Sequence, residues 1–572
     1  VTSYEITRKE MKMGGFYRWS GWDLDEEVDL DVTKCWVLLA LHSIPMRKPF
    51  TRWYHVHMVE RGTQVAAETF CVPTMKGWAF STLDGHYYVG PSTTTEEERK
   101  ERAPIFRERI APWIDDFEAE WRGKLAPECE GYLEEFKKIE LEKLSNLELL
   151  RLFERWMGVA ERAWEIHFLG MLSSCCIYGL FEQMCRELLD MDANHPTFKK
   201  LMTGFEHKTG EVASGLWRLG DRAKELGLEP VFQATTDDEE LLAKLEQSEA
   251  GRKWLKEFHG FLDVYGWQNK TIHDPCVPTW IEQPTIALPF IRANMAKGGA
   301  YFLEAERQRL VKEREEAEKE VLSQVPVEKR GWFEKLMRAA PWAGRFNEEH
   351  IYYVDGCGFA AVRHLLNEVG RRFAQAGVVD DPDDVNFLVP DEIERSLVFM
   401  ERVPHRKTVR IRRQQYEEWG KPEAIQKTLA ERFFIGDMQW LGQRIGEDPM
   451  LAIITGMPVV KPELKADLYA AASAPGVVEG VARVIMSEAQ MSEIQAGEIL
   501  VTVATTPGWN PIFGIIKGVV TDQGGQLAHA VIVGREYGIP CVAGTQEATG
   551  KIKTGMRIRV DGDMGAVYIL DK

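Results

Sequence analysis

The chain lacks most of the signatures that decide a protein's class at first reading. Its nine cysteines form no C-x-x-C pair and no metal-like spacing. Cys175 and Cys176 are adjacent, too close for an ordinary bridge. The odd count therefore reads as reduced thiols. No metal ligand set is assigned. No glycine-rich loop carries the lysine of a nucleotide phosphate site. No secretory leader is visible, and no apolar run reaches the ~18 residues of a membrane span. A cytoplasmic protein is the expectation. Positive charge is short as well: Lys and Arg total 71 against 89 Asp and Glu, for a net charge of -18. That balance argues against nucleic acid or an anionic membrane as the main partner.

What is present points to a large protein with real cores. Hydrophobic residues make up 44% of 572, and tryptophan is frequent at 18. That length suits two to four domains. No internal repeat is apparent. Residues 1–95 look β-rich, with "TRWYHVHMVERG" and "GHYYVGPSTTT" read as strands between Gly, Pro and Thr punctuation. From Glu96 to about residue 455 the periodicity is helical. Ser145, with Glu148 three residues on, reads as the N-cap of one helix. The charged stretch "YFLEAERQRLVKEREEAEKEVLSQV" reads as another, with a solvated face. A proline-containing linker is expected at 456–467. A compact domain of short strands with one helix, from about Leu527 to Tyr537, is expected over 468–572.

One stretch of that last domain carries chemistry: "TDQGGQLAHAVIVGREYGIPCVAG", from Thr521 to Gly544. Gly524 and Gly525 permit unusual backbone and close approach. His529 then falls in the first turn of a helix, where free amides and the positive end of the dipole suit an anion. An imidazole there can accept a phosphoryl group and pass it on, which splits one hard transfer into two. The plain alternative is a histidine that caps or packs. Arg535 reads as a phosphate ligand or as a surface partner of Glu536. Thr521 reads as a phosphate contact or as the end of a strand.

These residues resemble the phosphohistidine swivelling domain of phosphoenolpyruvate-utilising enzymes. The shared pattern comprises Gly524, Gly525, Ala528, His529, Arg535, Glu536, Gly538, Ile539, Pro540 and Gly544. "SAPGVVEGVARVI" resembles that domain's opening, and the likeness covers roughly 466–572. Many members carry a hydroxyl or thiol residue just before the histidine, where this chain has Leu527-Ala528; that bears on regulation more than on catalysis. The resemblance implies that His529 is the phosphorylated residue. The middle of the chain, "FLDVYGWQNKTIHDPCVPTWIEQPTIALPFIRAN", resembles the substrate domain of rifampicin phosphotransferases. Neither an ATP-grasp region nor a pyruvate barrel is recognisable. The combination is similar to the α subunit of phenylphosphate synthase. It implies a dikinase-type phosphotransferase component served by a separate ATP-grasp subunit, with ATP and Mg bound there and no cofactor held permanently here.

The fold class expected is therefore multidomain α+β: a small β-rich N-terminal part, a large mainly helical acceptor domain and a C-terminal β/β/α swivelling domain. An acceptor hydroxyl needs a general base. The candidates are His273 with Asp274, and Glu282. Trp280, His167 and Tyr416 are candidates for contacting an aromatic, phenol-like acceptor, with a packing role as the alternative for His167 and Tyr416. In "ERVPHRKTVRIRR", Arg406, Arg410 and Arg413 share one helical face, either to steer phosphate or as a solvated basic surface. Two competing readings stand beside this one: a pyruvate-linked enzyme, and a scaffold with a silent swivel domain.

Overall fold

The computed structural model describes residues 35–269, 271, 273–295, 301–400, 404–431, 434–436, 465–470, 472–486 and 488–571. Most of the expected linker, residues 456–464, lies outside them, as does Arg402, the first cation of the basic stretch "ERVPHRKTVRIRR". The chain divides into two compact units, each discontinuous in sequence. One contains Val1–Ser173, His273–Val277 and Tyr353–Pro449; the other contains Ser174–Ile272, Pro278–Tyr352 and Met450–Lys572.

The first unit holds a four-stranded sheet of β1 (Cys35–Leu38), β2 (Met75–Leu83), β3 (His86–Thr93) and β4 (Phe434–Gly436), in the order β2-β3-β1-β4. All three pairings are antiparallel. The expected strand at "TRWYHVHMVERG" is instead part of a 22-residue helix, Pro49–Phe70. Over six residues the alternation looks like a strand. Over 22, the buried Phe50, Trp53, Tyr54, Met58, Ala66, Ala67 and Phe70 follow helical spacing, and Pro49 opens the first turn. The helix lies against β2: Thr63 Oγ1 accepts from Trp78 N at 3.0 Å and Glu60 Oε2 from Phe80 N at 3.2 Å. The next long helix, Glu96–Asp115, starts at a capping box of Thr95 and Glu98. Ser145 and Glu148 form another at the head of Asn146–Leu189. That 44-residue helix is long and apolar enough to cross a membrane, but 72% of its most apolar window is buried in the protein, as in a core helix.

The second unit combines helices with a C-terminal sheet of eight strands. These are β5 (Leu468–Tyr469), β6 (Ala472–Ala474), β7 (Val477–Val484), β8 (Ile499–Thr502), β9 (Gly518–Thr521), β10 (Cys541–Ala543), β11 (Arg557–Asp561) and β12 (Ala566–Ile569). Their order is β5-β12-β11-β7-β8-β9-β10-β6. The central β7, β8, β9 and β10 run parallel, and both flanks are antiparallel. Both faces are covered, so strand residues alternate between two cores. Leu500, Val519 and Cys541 join the one built with Trp509, Phe513 and Val531. Ile499, Val501, Val520 and Val542 join the other. The architecture is the expected one: a small N-terminal sheet, a large helical region and a C-terminal sheet domain.

Candidate functional site

β9 ends at Thr521, and the glycine loop carries the chain into helix His529–Tyr537. Thr521 is tied to the loop itself: its hydroxyl donates to Gln523 O at 2.7 Å, and its carbonyl accepts from Gly544 N and Thr545 N. Gly524 has φ +134, and a Cβ there would sit 2.8 Å from the Ala528 side chain. Gly525 is buried beside it. Arg535 is buried rather than paired with a surface acid: its Nε donates to Val531 O at 3.1 Å and its Nη2 to Gln526 O, clamping the loop to the helix. Glu536 accepts from Gly204 N at 3.0 Å.

His529 is the first residue of its helix and is buried, with both ring nitrogens engaged. Nδ1 lies 2.8 Å from Thr505 Oγ1, and Nε2 lies 2.8 Å from Asn510 Oδ1. An amide oxygen only accepts, so Nε2 carries the proton here and Nδ1 accepts from the threonine. Phe513 meets the ring edge-on at 5.5 Å. Glu348 Oε2 lies 3.8 Å from Nε2. That spacing suits an ion pair, yet burial works against both charges. It drives His529 down to about 3, with His207 adding to the effect, and pushes Glu348 up to about 8. At neutral pH a neutral imidazole faces a protonated carboxyl. His207 caps helix Lys208–Glu225, its Nδ1 accepting from Gly210 N at 3.2 Å.

Asn510 also lines a pocket with Lys208, Trp217, Trp280, Tyr352 and Tyr537. Trp280 therefore joins an aromatic cavity that meets the histidine's own hydrogen-bond partner. Glu282 sits apart from that role: it accepts from Thr279 N at 2.9 Å and Thr279 Oγ1 at 3.0 Å, closing a tight turn. Glu348, Thr505, Asn510 and His207 had no signal in the sequence. Glu348 and His207 stand far from His529 along the chain, while Thr505 and Asn510 lie in the stretch "ILVTVATTPGWNPIF", 24 and 19 residues before it, where nothing singled them out.

The remaining candidates fall in the first unit. The Asp274 carboxylate is fully engaged, taking Arg47 Nη1 at 3.1 Å, Thr51 Oγ1 at 2.6 Å and Cys276 N at 3.0 Å. It anchors a buried turn. His273 is buried with a left-handed backbone, φ 55, and His167 packs 5.7 Å from it, edge to face. On helix Arg406–Trp419, Arg406 pairs with Asp380 at 2.9 Å and Arg413 with Asp384 at 2.5 Å. Arg412 reaches both oxygens of Glu392. Arg410 is exposed. Tyr416 packs edge-on to Phe387 at 5.8 Å. Among the described residues of the run, Arg406, Arg412 and Arg413 are thus paired with carboxylates of their own unit.

Residues 494–565 match the mobile domain of PEP-utilising enzymes, and residues 167–348 match the rifampicin phosphotransferase fourth domain. An uncharacterized phosphotransferase of Bacillus subtilis (strain 168) is 29% identical over 559 residues, 95% of this chain and 63% of its own length. A rifampicin phosphotransferase of Streptomyces sviceus is 30% identical over 346 residues, 59% of this chain and 37% of that protein. A phosphoenolpyruvate synthase of Pyrococcus furiosus is 38% identical over 145 residues, 23% of this chain and 18% of that protein. The chain spans less than two thirds of each of these relatives. The glycine loop and His529 lie inside the mobile-domain match, while His207, Trp280 and Glu348 lie inside the fourth-domain match. Both walls of the histidine site thus lie in segments that match these two family models, one from phosphoenolpyruvate-utilising enzymes and one from rifampicin phosphotransferases.

Proposed function

We propose that this chain is the acceptor-side component of a dikinase-type phosphotransferase, with His529 carrying the phosphoryl group to the hydroxyl of a small, aromatic organic acceptor. The observation that carries the reading is His529 at a helix N-terminus, hydrogen-bonded to Asn510 at the wall of a pocket lined by Trp217, Trp280, Tyr352 and Tyr537. In the first half-reaction an imidazole nitrogen attacks phosphorus of the donor, an N–P bond forms, and the P–O bond to the rest of the donor breaks, its oxygen leaving with the electron pair. In the second, the acceptor oxygen attacks phosphorus, the N–P bond breaks, and the electron pair returns to the ring. The hydroxyl proton passes to Glu348, which acts as the base when ionised. Lys208, 3.1 Å from Glu211 Oε2, supplies positive charge at the pocket rim. The donor is ATP with Mg²⁺ on an ATP-grasp component outside these 572 residues. The phosphotransferase names of the relatives support the reaction class.

Phosphoramidate, a small donor that needs no partner protein, tests the first step. The wild-type chain should gain one acid-labile phosphate by intact mass, and His529→Ala should gain none with an unchanged circular dichroism spectrum. Equal labelling of both proteins would end the proposal. ATP and Mg²⁺ with this chain alone should leave His529 unmodified; phosphorylation under those conditions would place the nucleotide site within it.

A further inference from the structure

Three histidines distant in sequence converge inside the first unit. His42 stacks on His273 with ring centroids 5.2 Å apart, and His55 lies 5.1 Å from His42 and 6.2 Å from His273. One ring nitrogen from each falls within 4.8 Å of the other two. His55 and His273 are 1% and 3% exposed, and His42 is partly exposed at the edge of the nest. His55 Nδ1 is 3.1 Å from Thr51 O, a contact that places the ring proton on Nδ1 and leaves the lone pair on Nε2. That Nε2 is buried with no hydrogen-bond partner among the described residues, and the same holds for His42 Nδ1. A carboxylate adjoins one of the three. Asp355 is 1% exposed, and its Oδ1 lies 3.8 Å from His273 Nε2. Packing alone explains this grouping poorly, because buried polar atoms are ordinarily partnered.

We propose that His42, His55, His273 and Asp355 form a binding site for one divalent first-row transition metal, zinc being the simplest occupant. Nitrogen-rich ligation with a single carboxylate suits zinc, iron, cobalt or nickel and disfavours calcium and magnesium. Metal–nitrogen bonds of about 2.0–2.1 Å need nitrogens roughly 3.3 Å apart in a tetrahedron, so the rings close inward by about an ångström on binding. The surroundings hold the ligands in place. Thr51 orients His55 through its carbonyl, in the manner of an outer-shell partner. Asp355 opens a π-helical turn, Asp355–Ala360, a distortion that often marks functional positions. His273 adopts φ 55, where a non-glycine residue is strained. Arg47, whose charge acts on both His42 and His55, is paired with Asp274 at 3.1 Å. Spacing along the chain hides the site, since its ligands stand at 42, 55, 273 and 355.

The experiment uses the full chain, stripped with a chelator, dialysed, and titrated with Co²⁺ as a spectroscopic probe. Wild type should bind one Co²⁺ per chain with visible ligand-field bands, Zn²⁺ should displace it, and each metal should raise the melting temperature. His42→Ala, at the partly exposed edge, and Asp355→Asn, nearly isosteric, should each weaken Co²⁺ binding by about 100-fold. His529→Ala should bind as wild type does, which separates this site from the phosphoryl site. A wild-type chain without ligand-field bands at saturating Co²⁺ overturns the proposal, however the variants fold. Unchanged affinity in both ligand variants overturns it as well.

Discussion

Glu348 and His529 are each held neutral by burial, and the pH dependence of the two runs in opposite directions. A carboxyl raised from its ordinary 4.5 to about 8 stabilises the fold fully below pH 4.5 relative to higher pH. That contribution is lost as pH rises to about 8, because the unfolded chain releases the proton first. The histidine, lowered to about 3, favours the fold above pH 6.5 and costs stability as pH falls toward 3. Glu348→Gln should therefore gain stability over wild type as pH rises from 5 to 8.5, by on the order of a few kcal/mol. Urea denaturation at several pH values measures it, and parallel curves would remove the shift. In single-turnover assays the same variant should slow transfer to the acceptor about 100-fold, with labelling of His529 nearly unchanged. The histidine was legible in the sequence because glycines, imidazole and apolar run sit together in one short stretch. Glu348 was not, since a carboxylate within a helix of mixed charge looks like any surface acid until the fold buries it.

Single elements carry three further expectations. Gly524 holds φ +134 against Ala528 and Ala543, whose Cβ atoms stand 2.8 and 3.3 Å from where a new methyl would go. Gly524→Ala should destabilise the chain by about 1–3 kcal/mol and lower labelling of His529, as calorimetry and intact mass would register. On helix Arg406–Trp419, Arg412 donates to both oxygens of Glu392, at 2.6 and 3.0 Å, and to Phe387 O at 2.8 Å. Arg412→Ala should cost about 1.5–3 kcal/mol of stability. Exposed Arg410→Ala should leave both stability and acceptor transfer within about twofold of wild type. A large loss of transfer in the Arg410 variant would return the basic face to the chemistry. Helical spacing identified that face, but spacing does not say which charges are already paired.

Across the second unit, polar contacts join the C-terminal sheet domain to helical segments. Lys199 reaches Ser473 Oγ at 3.1 Å, Gln526 reaches Asn194 Oδ1 at 2.8 Å, and Glu536 holds Gly204 N at 3.0 Å. Under the proposed function the histidine serves two sites and must leave this arrangement, which breaks these polar links. Glu536→Ala combined with Asn194→Ala should raise amide exchange at 194–207 and 526–536 while the strands β7 to β10 keep their protection. Unchanged exchange would mean the docking is held by apolar packing.

Periodicity and short-range chemistry were enough to determine the helical middle, the strand-rich C-terminal domain and the histidine within it. Each rests on residues within one or two turns of each other. The helix at Pro49–Phe70 escaped because six residues can fit period 2 while 22 cannot. Only the tertiary structure decided what faces the histidine and which imidazoles meet. Thr505 and Asn510 reach His529 from one segment and Glu348 from another nearly two hundred residues away, and His42, His55 and His273 converge across more than two hundred residues. Side chains so far apart along the chain leave no periodic trace, because only chain crossing and burial bring them within a few ångströms.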